Sequence, residues 1–209
     1  MIELVALDFE TTGVVAEYPA EPWQIGLVRL RDRKVTTETY ESLLLVDPDR
    51  PFNHMAPGRH AELREEIAAA PTMGQLWPDL RPWCQVPLVA HNAATEKKHL
   101  RAAAPIHKFG PWIDTLKLAR IAYPAFHTHK LDDLIDILQL GPRVAALCPE
   151  RVAHDALYDA IACGMLLEHL LALPGWESLT VEQLAAAKPT AFYRSRSKSK
   201  KTPRCGGIS

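Results

Sequence analysis

Residues Ile2–Gly13 read IELVALDFETTG. The aliphatic run Leu4-Val5-Ala6-Leu7, closed by Thr11-Thr12-Gly13, predicts a buried strand. Side chains alternate along a strand, so Asp8 and Glu10 project from the same face. Two neighbouring carboxylates at a strand's end repel each other, and they need a cation or a raised pKa unless the strand end is simply solvated. The small residues that follow let backbone N–H groups approach a ligand closely.

Working outward, WQIGLVRL (23–30) and YESLLLV (40–46) have strand texture, with connections short enough for an antiparallel meander. APGRHAELREEIAAA (56–70) and PTMGQLWPDLRPWC (71–84) have helical composition, and Thr72 is placed to cap the second. PLVAH (87–91) is a short apolar strand, followed by the helical stretch TEKKHLRAAA (95–104). WIDT (112–115) predicts a last strand running into LKLARIAY (116–123). In KLDDLIDILQL (130–140), Leu131, Leu134, Ile135 and Leu138 recur at i, i+3, i+4 and i+7, the mark of an amphipathic helix. HDALYDAIACGMLLEHLLAL (154–173) is a long helix stopped by Pro174 and Gly175, and VEQLAAA (181–187) adds a short one. Three strands, then strand–helix alternation, then a closing helix describe an α/β domain with a mixed sheet. No internal repeat is visible. One domain over residues 1–190 is expected, with a basic disordered tail over 191–209.

The chain has 24 basic and 25 acidic residues in 209, a net charge of −1. That balance excludes a wholly disordered chain. No apolar run reaches the ~18 residues that span a bilayer, and MIELVALDFE lacks the pattern of a signal peptide. The cytoplasm is therefore the expected compartment, with no membrane partner. Cys84, Cys148, Cys163 and Cys205 form no CxxC pair, which argues against a zinc knuckle or a disulfide framework. The near-zero charge is a sum of unlike parts. From Arg194 onward there are six basic residues and no acids, which leaves residues 1–193 at −7.

Two more polar clusters stand out. Asp159 lies in a helix otherwise built of Ala, Leu, Ile, Cys and Gly, so its carboxylate is expected to be partly buried and to need a partner. His154 falls near the start of that helix, where it either faces the same site or is an ordinary polar N-terminal residue. His91-Asn92-Ala93-Ala94-Thr95-Glu96 follows the strand PLVA, at the strand end where open α/β sheets place ligands. Glu96 in the first turn of the next helix is also favoured by the helix dipole alone.

Together these clusters resemble the DEDDh 3′→5′ exonucleases, the DnaQ-like group. Asp8-Phe9-Glu10-Thr11-Thr12-Gly13 matches that family's DxETTG, and HNAATEKKHL is similar to its HNAxFDxxFL. His154–Ala160 matches HxAxxDA, Asp114–Arg120 its DTLxLAR, and Lys130–Leu134 its LDxL segment. Pro51–Leu80 resembles its helical insert, and the likeness spans roughly residues 1–173. The resemblance implies an RNase H-like fold: a mixed five-stranded sheet, its first three strands antiparallel, with flanking helices. It implies two Mg²⁺ or Mn²⁺ ions held by Asp8, Glu10, Glu96 and Asp159, with Asp8 bridging both and Glu96 on the second ion. His154 would be the general base, since imidazole titrates near neutral pH. The implied activity is release of nucleoside 5′-monophosphates from the 3′ end of single-stranded or frayed DNA.

Thr11, Thr12, His91 and Asn92 are the implied substrate contacts, although His91 and Asn92 serve equally well to order their loop. Lys97, Lys98 and Lys130 are phosphate candidates or solvated helix residues. Two other readings share the motifs: an exoribonuclease, and a polymerase-associated nucleic-acid-binding module with weak catalysis. One departure bears on the second. Glu96 stands where the family commonly has Asp, and Thr95 where it has an aromatic, so a direct contact from Glu96 would hold the second ion more loosely. The basic tail would either attract nucleic acid or remain a solvated end.

Overall fold

The computed structural model describes residues 2–188. The tail expected from residue 191 lies outside them. Strands β1 (Glu3–Thr11), β2 (Pro22–Arg31), β3 (Lys34–Leu43), β4 (Leu88–Ala90) and β5 (Trp112–Asp114) form one sheet in the order β3-β2-β1-β4-β5. β1–β2 and β2–β3 pair antiparallel, and β1–β4 and β4–β5 pair parallel. The helices are α1 (Arg64–Ala68), α2 (Met73–Leu80), α3 (Ala94–Ala103), α4 (Thr115–Ala122), α5 (Leu131–Ile137), α6 (Gly141–Leu147), α7 (Ala156–Leu171) and α8 (Val181–Ala185).

Alternation along β1 sorts the core into two layers. Val5, Leu7 and Phe9 join Ile25, Leu27, Leu80 and Leu100 under α2 and α3. Leu4 and Ala6 join Val28, Leu30 and the apolar residues of α4 to α7 on the opposite face. Asp8 and Glu10 continue the second row beyond the apolar residues, so the strand carries both carboxylates toward α7. That helix is buried at 14 of its 16 positions, which makes it the central helix of its layer rather than an amphipathic cover.

The capping box at Thr72 starts α2, as its sequence suggests. Three features differ from the sequence expectation. The third strand begins at Lys34 and ends at Leu43, earlier than the apolar run at 40–46. It is an edge strand with a largely exposed Thr/Glu-rich stretch, so burial leaves no mark on its sequence; beyond it Leu44 is buried in the core layer of Val5 and Leu7, and Val46 against Trp23 and Ile67. The stretch 56–70 is helical only at Arg64–Ala68, because it spends its first residues wrapping the end of β1. Gly141–Leu147 forms a helix that the pattern of apolar residues did not announce. Among the described residues no helix is long and apolar enough to cross a membrane.

Candidate active site

The site is assembled from the end of β1, the first turn of α3 and the start of α7. β2 fixes the last of these. Gly26 lies where α7 crosses the sheet, and a Cβ there would come within 2.3 Å of the backbone of Ala156 and Leu157. Two residues earlier, on the same face, Gln24 accepts from the Ala156 amide at 3.2 Å and donates from Nε2 to Asp155 Oδ2 at 3.2 Å. Asp155 caps α7 through the amides of Leu157 and Tyr158, and Arg151 neutralises it at 2.7 Å. Strand and helix are thus held in one relation, which presents Asp159 to the carboxylates of β1.

Glu10, Asp159 and His154 offer ligand atoms that all lie within 4.8 Å of one another. Glu10 and Asp159 are buried. Burial, then repulsion from Asp8, Asp159, Asp155 and Asp132, pushes the Glu10 carboxyl up to about 9. Burial and the charge of Asp8 push Asp159 up to about 8. Asp8 is raised to about 8 by burial and then by Glu96, and Glu96 to about 7, chiefly by burial. The geometry brings Glu10, Asp159 and His154 together; the charge of Asp8 acts on both of these carboxyls, and that of Glu96 acts on Asp8.

The cluster has unmet bonding capacity. Asp159 Oδ2 accepts the His154 amide at 3.2 Å, but its Oδ1 is buried without a hydrogen-bond partner. Glu96 is buried, its own backbone amide supports the carboxylate, and its Oε2 is likewise partnerless. A second buried carboxylate on α7 gives the contrast. Against the burial that would raise it, the Val35 amide, Arg143 and Lys34 hold Glu168 below the usual range; they bond it at 2.9, 2.6 and 3.1 Å. A structural carboxylate in this fold has its donors. Asp159 and Glu96 instead each have a buried oxygen without a hydrogen-bond partner, and hard oxygen donors of this kind suit Mg²⁺ or Mn²⁺. The residues present fit divalent ions.

His154 holds a left-handed backbone (φ 67°) and its side chain is 46% exposed, so solvent water reaches the imidazole. Its Nε2 lies 3.6 Å from Asp132 Oδ2. Asp132 also raises Asp8, Glu10 and Asp159, so it faces the same cluster. In sequence it lies inside the segment Lys130–Leu134, where helical periodicity marks only the apolar residues. The wall opposite comes from Gly58, with φ 94°; a Cβ there would lie 3.0 Å from the His154 carbonyl and 3.6 Å from Glu10 Oε2. Only glycine permits that approach.

The four implied substrate residues sit differently. Thr12 is buried and used internally: its hydroxyl donates to the Gly13 carbonyl and accepts from the Glu21 amide, both at 3.1 Å. Thr11 is partly exposed at the strand end. His91 has both ring nitrogens engaged, Nε2 with the His129 carbonyl at 2.9 Å and Nδ1 with Thr115 Oγ1 at 3.0 Å. Burial pushes its pKa down. Asn92 is exposed with φ 66°, and its amide donates to Asp114 Oδ1 at 3.1 Å.

With this geometry in view, the exonuclease family model matches residues 5–167. The PolC-type DNA polymerase III of Latilactobacillus sakei is 28% identical over 189 residues, covering 87% of this chain. The chain spans 12% of that polymerase's length. Exonuclease X, solved in complex with 5′ overhanging duplex DNA, is 28% identical with a TM-score of 0.64, over 88% of this chain and 98% of that one. The nuclease domain of 3′hExo, a DEDDh family member solved with rAMP, shares the fold at 15% identity and a TM-score of 0.64, over 81% of this chain and 91% of that one.

Proposed function

The chain belongs to the exonuclease family, in its DEDDh 3′→5′ group, and on that premise we propose a hydrolase that trims DNA from single-stranded or frayed 3′ ends, releasing nucleoside 5′-monophosphates. The observation that carries the site assignment is the pair of partnerless buried oxygens, Asp159 Oδ1 and Glu96 Oε2, in a cluster whose carboxyls all titrate high. In this reading Asp8, Glu10, Glu96 and Asp159 would hold the divalent ions, Mg²⁺ or Mn²⁺. Divalent ions there supply charge neutralisation for the attacking and leaving oxygens of an in-line displacement.

The protein's own residues do the rest. His154 takes the proton of the attacking water. Its exposed imidazole reaches solvent, and the nearby Asp132 carboxylate stabilises the imidazolium that results. Gln24, Gly26 and Asp155 keep Asp159 in position, and Gly58 leaves room for Glu10 and the His154 loop. The partly exposed Thr11 and the exposed Asn92 meet the terminal nucleotide, while Thr12 and His91 order the loops beneath it.

The likeness to Exonuclease X with its DNA end supports DNA over RNA. The likeness to a PolC-type polymerase supports service beside a polymerase. The test is a 5′-labelled oligonucleotide offered as DNA and as RNA with Mg²⁺ or Mn²⁺. A ladder shortening from the 3′ end, stopped by EDTA and absent in Asp8→Ala with an unchanged circular dichroism spectrum, is expected. Products from the 5′ end alone, or none with either metal, would overturn the reading.

A further inference from the structure

The body of the chain is acidic, and most of its described cations are already committed. Arg29, Arg31, Lys34, Arg50, Arg59, Lys117, Arg143 and Arg151 pair with carboxylates. Arg33 and Arg64 bond backbone carbonyls. The outer face of α3 is different. Lys97, Lys98 and Arg101 stand at i, i+1 and i+4, and no carboxylate among the described residues is in ion-pair contact with them. Lys98 and Arg101 are exposed, and Lys97 rests over the Trp112 ring at 5.5 Å.

These three cations line one shallow groove of about 490 Å³ with Ala94 and Ala102, whose small side chains leave its floor open. Lys98 and Ala102 also border a second hollow of about 410 Å³, whose floor includes Pro19, Pro22, Met73 and Ala103. A cationic groove beside an apolar one suits a polymer that is anionic along its backbone and apolar on the faces of its bases. The placement fits as well. Glu96, one residue before Lys97, faces the candidate metal site from the same helix. Arg101 is five residues further, about 7.5 Å along the axis at ~1.5 Å per residue.

We propose that the Lys97–Lys98–Arg101 face of α3 is a binding track for the phosphates of the substrate strand upstream of its 3′ end, with the adjoining apolar hollow receiving its bases. This rests on the reading of the neighbouring site as a nuclease centre, and it adds where the uncut strand runs. The track carries no base-edge readout, so it binds without sequence preference.

The test measures binding by fluorescence anisotropy, in Mg²⁺, of a 5′-labelled thymidine 12-mer whose last three linkages are phosphorothioates that resist cutting. The double variant Lys98→Ala with Arg101→Ala, both at exposed helix positions, is expected to bind about tenfold more weakly. Its plot of log affinity against log salt should flatten by about 1.4, roughly 0.7 for each lost phosphate contact on a single strand. The charge-keeping swap Lys98→Arg with Arg101→Lys should keep the wild-type slope. An unchanged slope in the alanine variant, or an equal loss in the swap, overturns the proposal. A parallel assay on an all-phosphate strand separates the two ideas: failure to release mononucleotides removes the nuclease reading, while the salt slope still decides the track.

Discussion

The His154 imidazole and the Asp132 carboxylate face each other at 3.6 Å, Nε2 to Oδ2, across the open side of the acidic cluster. A carboxylate in that position steadies a base that must become charged during turnover. Asp132→Asn should lower kcat about 10- to 100-fold with little change in KM, the scale of losing a supporting partner. Steady-state kinetics check this. A variant with wild-type kcat would mean that the pair is only a surface contact.

The close seat of α7 on β2 gives a second expectation. A methyl group at position 26 would fall 2.3 Å from the backbone of Ala156 and Leu157, and backbone cannot step aside as a flexible side chain does. Gly26→Ala should cost about 1–3 kcal/mol, the range for overpacking a filled interior. Urea unfolding reads that cost. Activity should fall further than stability explains, because Asp159 rides on the displaced helix. An unchanged urea midpoint would refute the seat.

The pH dependence of metal-free stability has a definite sign. Asp8, Glu10, Glu96 and Asp159 titrate at about 8, 9, 7 and 8 in the folded chain, against ordinary values of 3.8 to 4.5. A raised carboxyl stabilises the fold fully below its unfolded pKa, and that contribution is lost as pH rises through the folded pKa. His91 and His99, whose folded pKa values are depressed, stay neutral above pH 7 and do not oppose this. In EDTA the Tm should therefore fall between pH 7 and pH 9. Added Mg²⁺ or Mn²⁺ should raise it, and by more at the alkaline end. Scanning calorimetry with and without metal measures both; a Tm flat in EDTA across this window would contradict the charge cluster.

Glu96 is the carboxylate whose buried Oε2 has no hydrogen-bond partner, and Glu96→Gln probes it from two sides. On the proposed assignment of Glu96 to a metal, its loss removes several kcal/mol of transition-state stabilisation, so kcat should drop more than about 100-fold. The same change relieves repulsion with Asp8, so the metal-free protein should melt higher at pH 9 than wild type. A drop in activity without that gain would mark Glu96 as catalytic for a reason other than its charge.

Much of this was readable from residue order because local pattern and burial agree. β1 announces itself by Leu4–Leu7, and the period-two rule correctly placed Asp8 and Glu10 on one face. The i, i+3, i+4, i+7 apolar residues marked α5, and a carboxylate among small apolar residues marked Asp159 as needing a partner. What stayed hidden depends on tertiary contact. Gln24 looks like an ordinary strand residue until α7 lies across it. Gly58 looks like a turn glycine until Glu10 and His154 pack against it. The third strand is legible but displaced, because most of Lys34–Leu43 is exposed at the sheet edge and carries no apolar run, and Asp132 is missed because acids on an amphipathic helix normally face water. The two roles of His91 and Asn92 left open by the motif divide in the fold: the His91 ring is bonded on both sides, while the Asn92 side chain reaches solvent.

The seat for α7 also governs when the centre comes into being. Glu10 and Asp159 are separated by almost the whole domain in sequence, and the packing of α7 across β1 and β2, with Gln24 and Gly26 seated against Ala156, closes that distance. Contacts so far apart form late, after loop closure has been paid for. A chain emerging from synthesis, or one partly unfolded, carries every residue of the motif and has no gathered carboxylates to hold a metal. On the proposed assignment, cutting competence therefore requires the complete fold, because Glu10 and Asp159 meet only where α7 lies on the sheet.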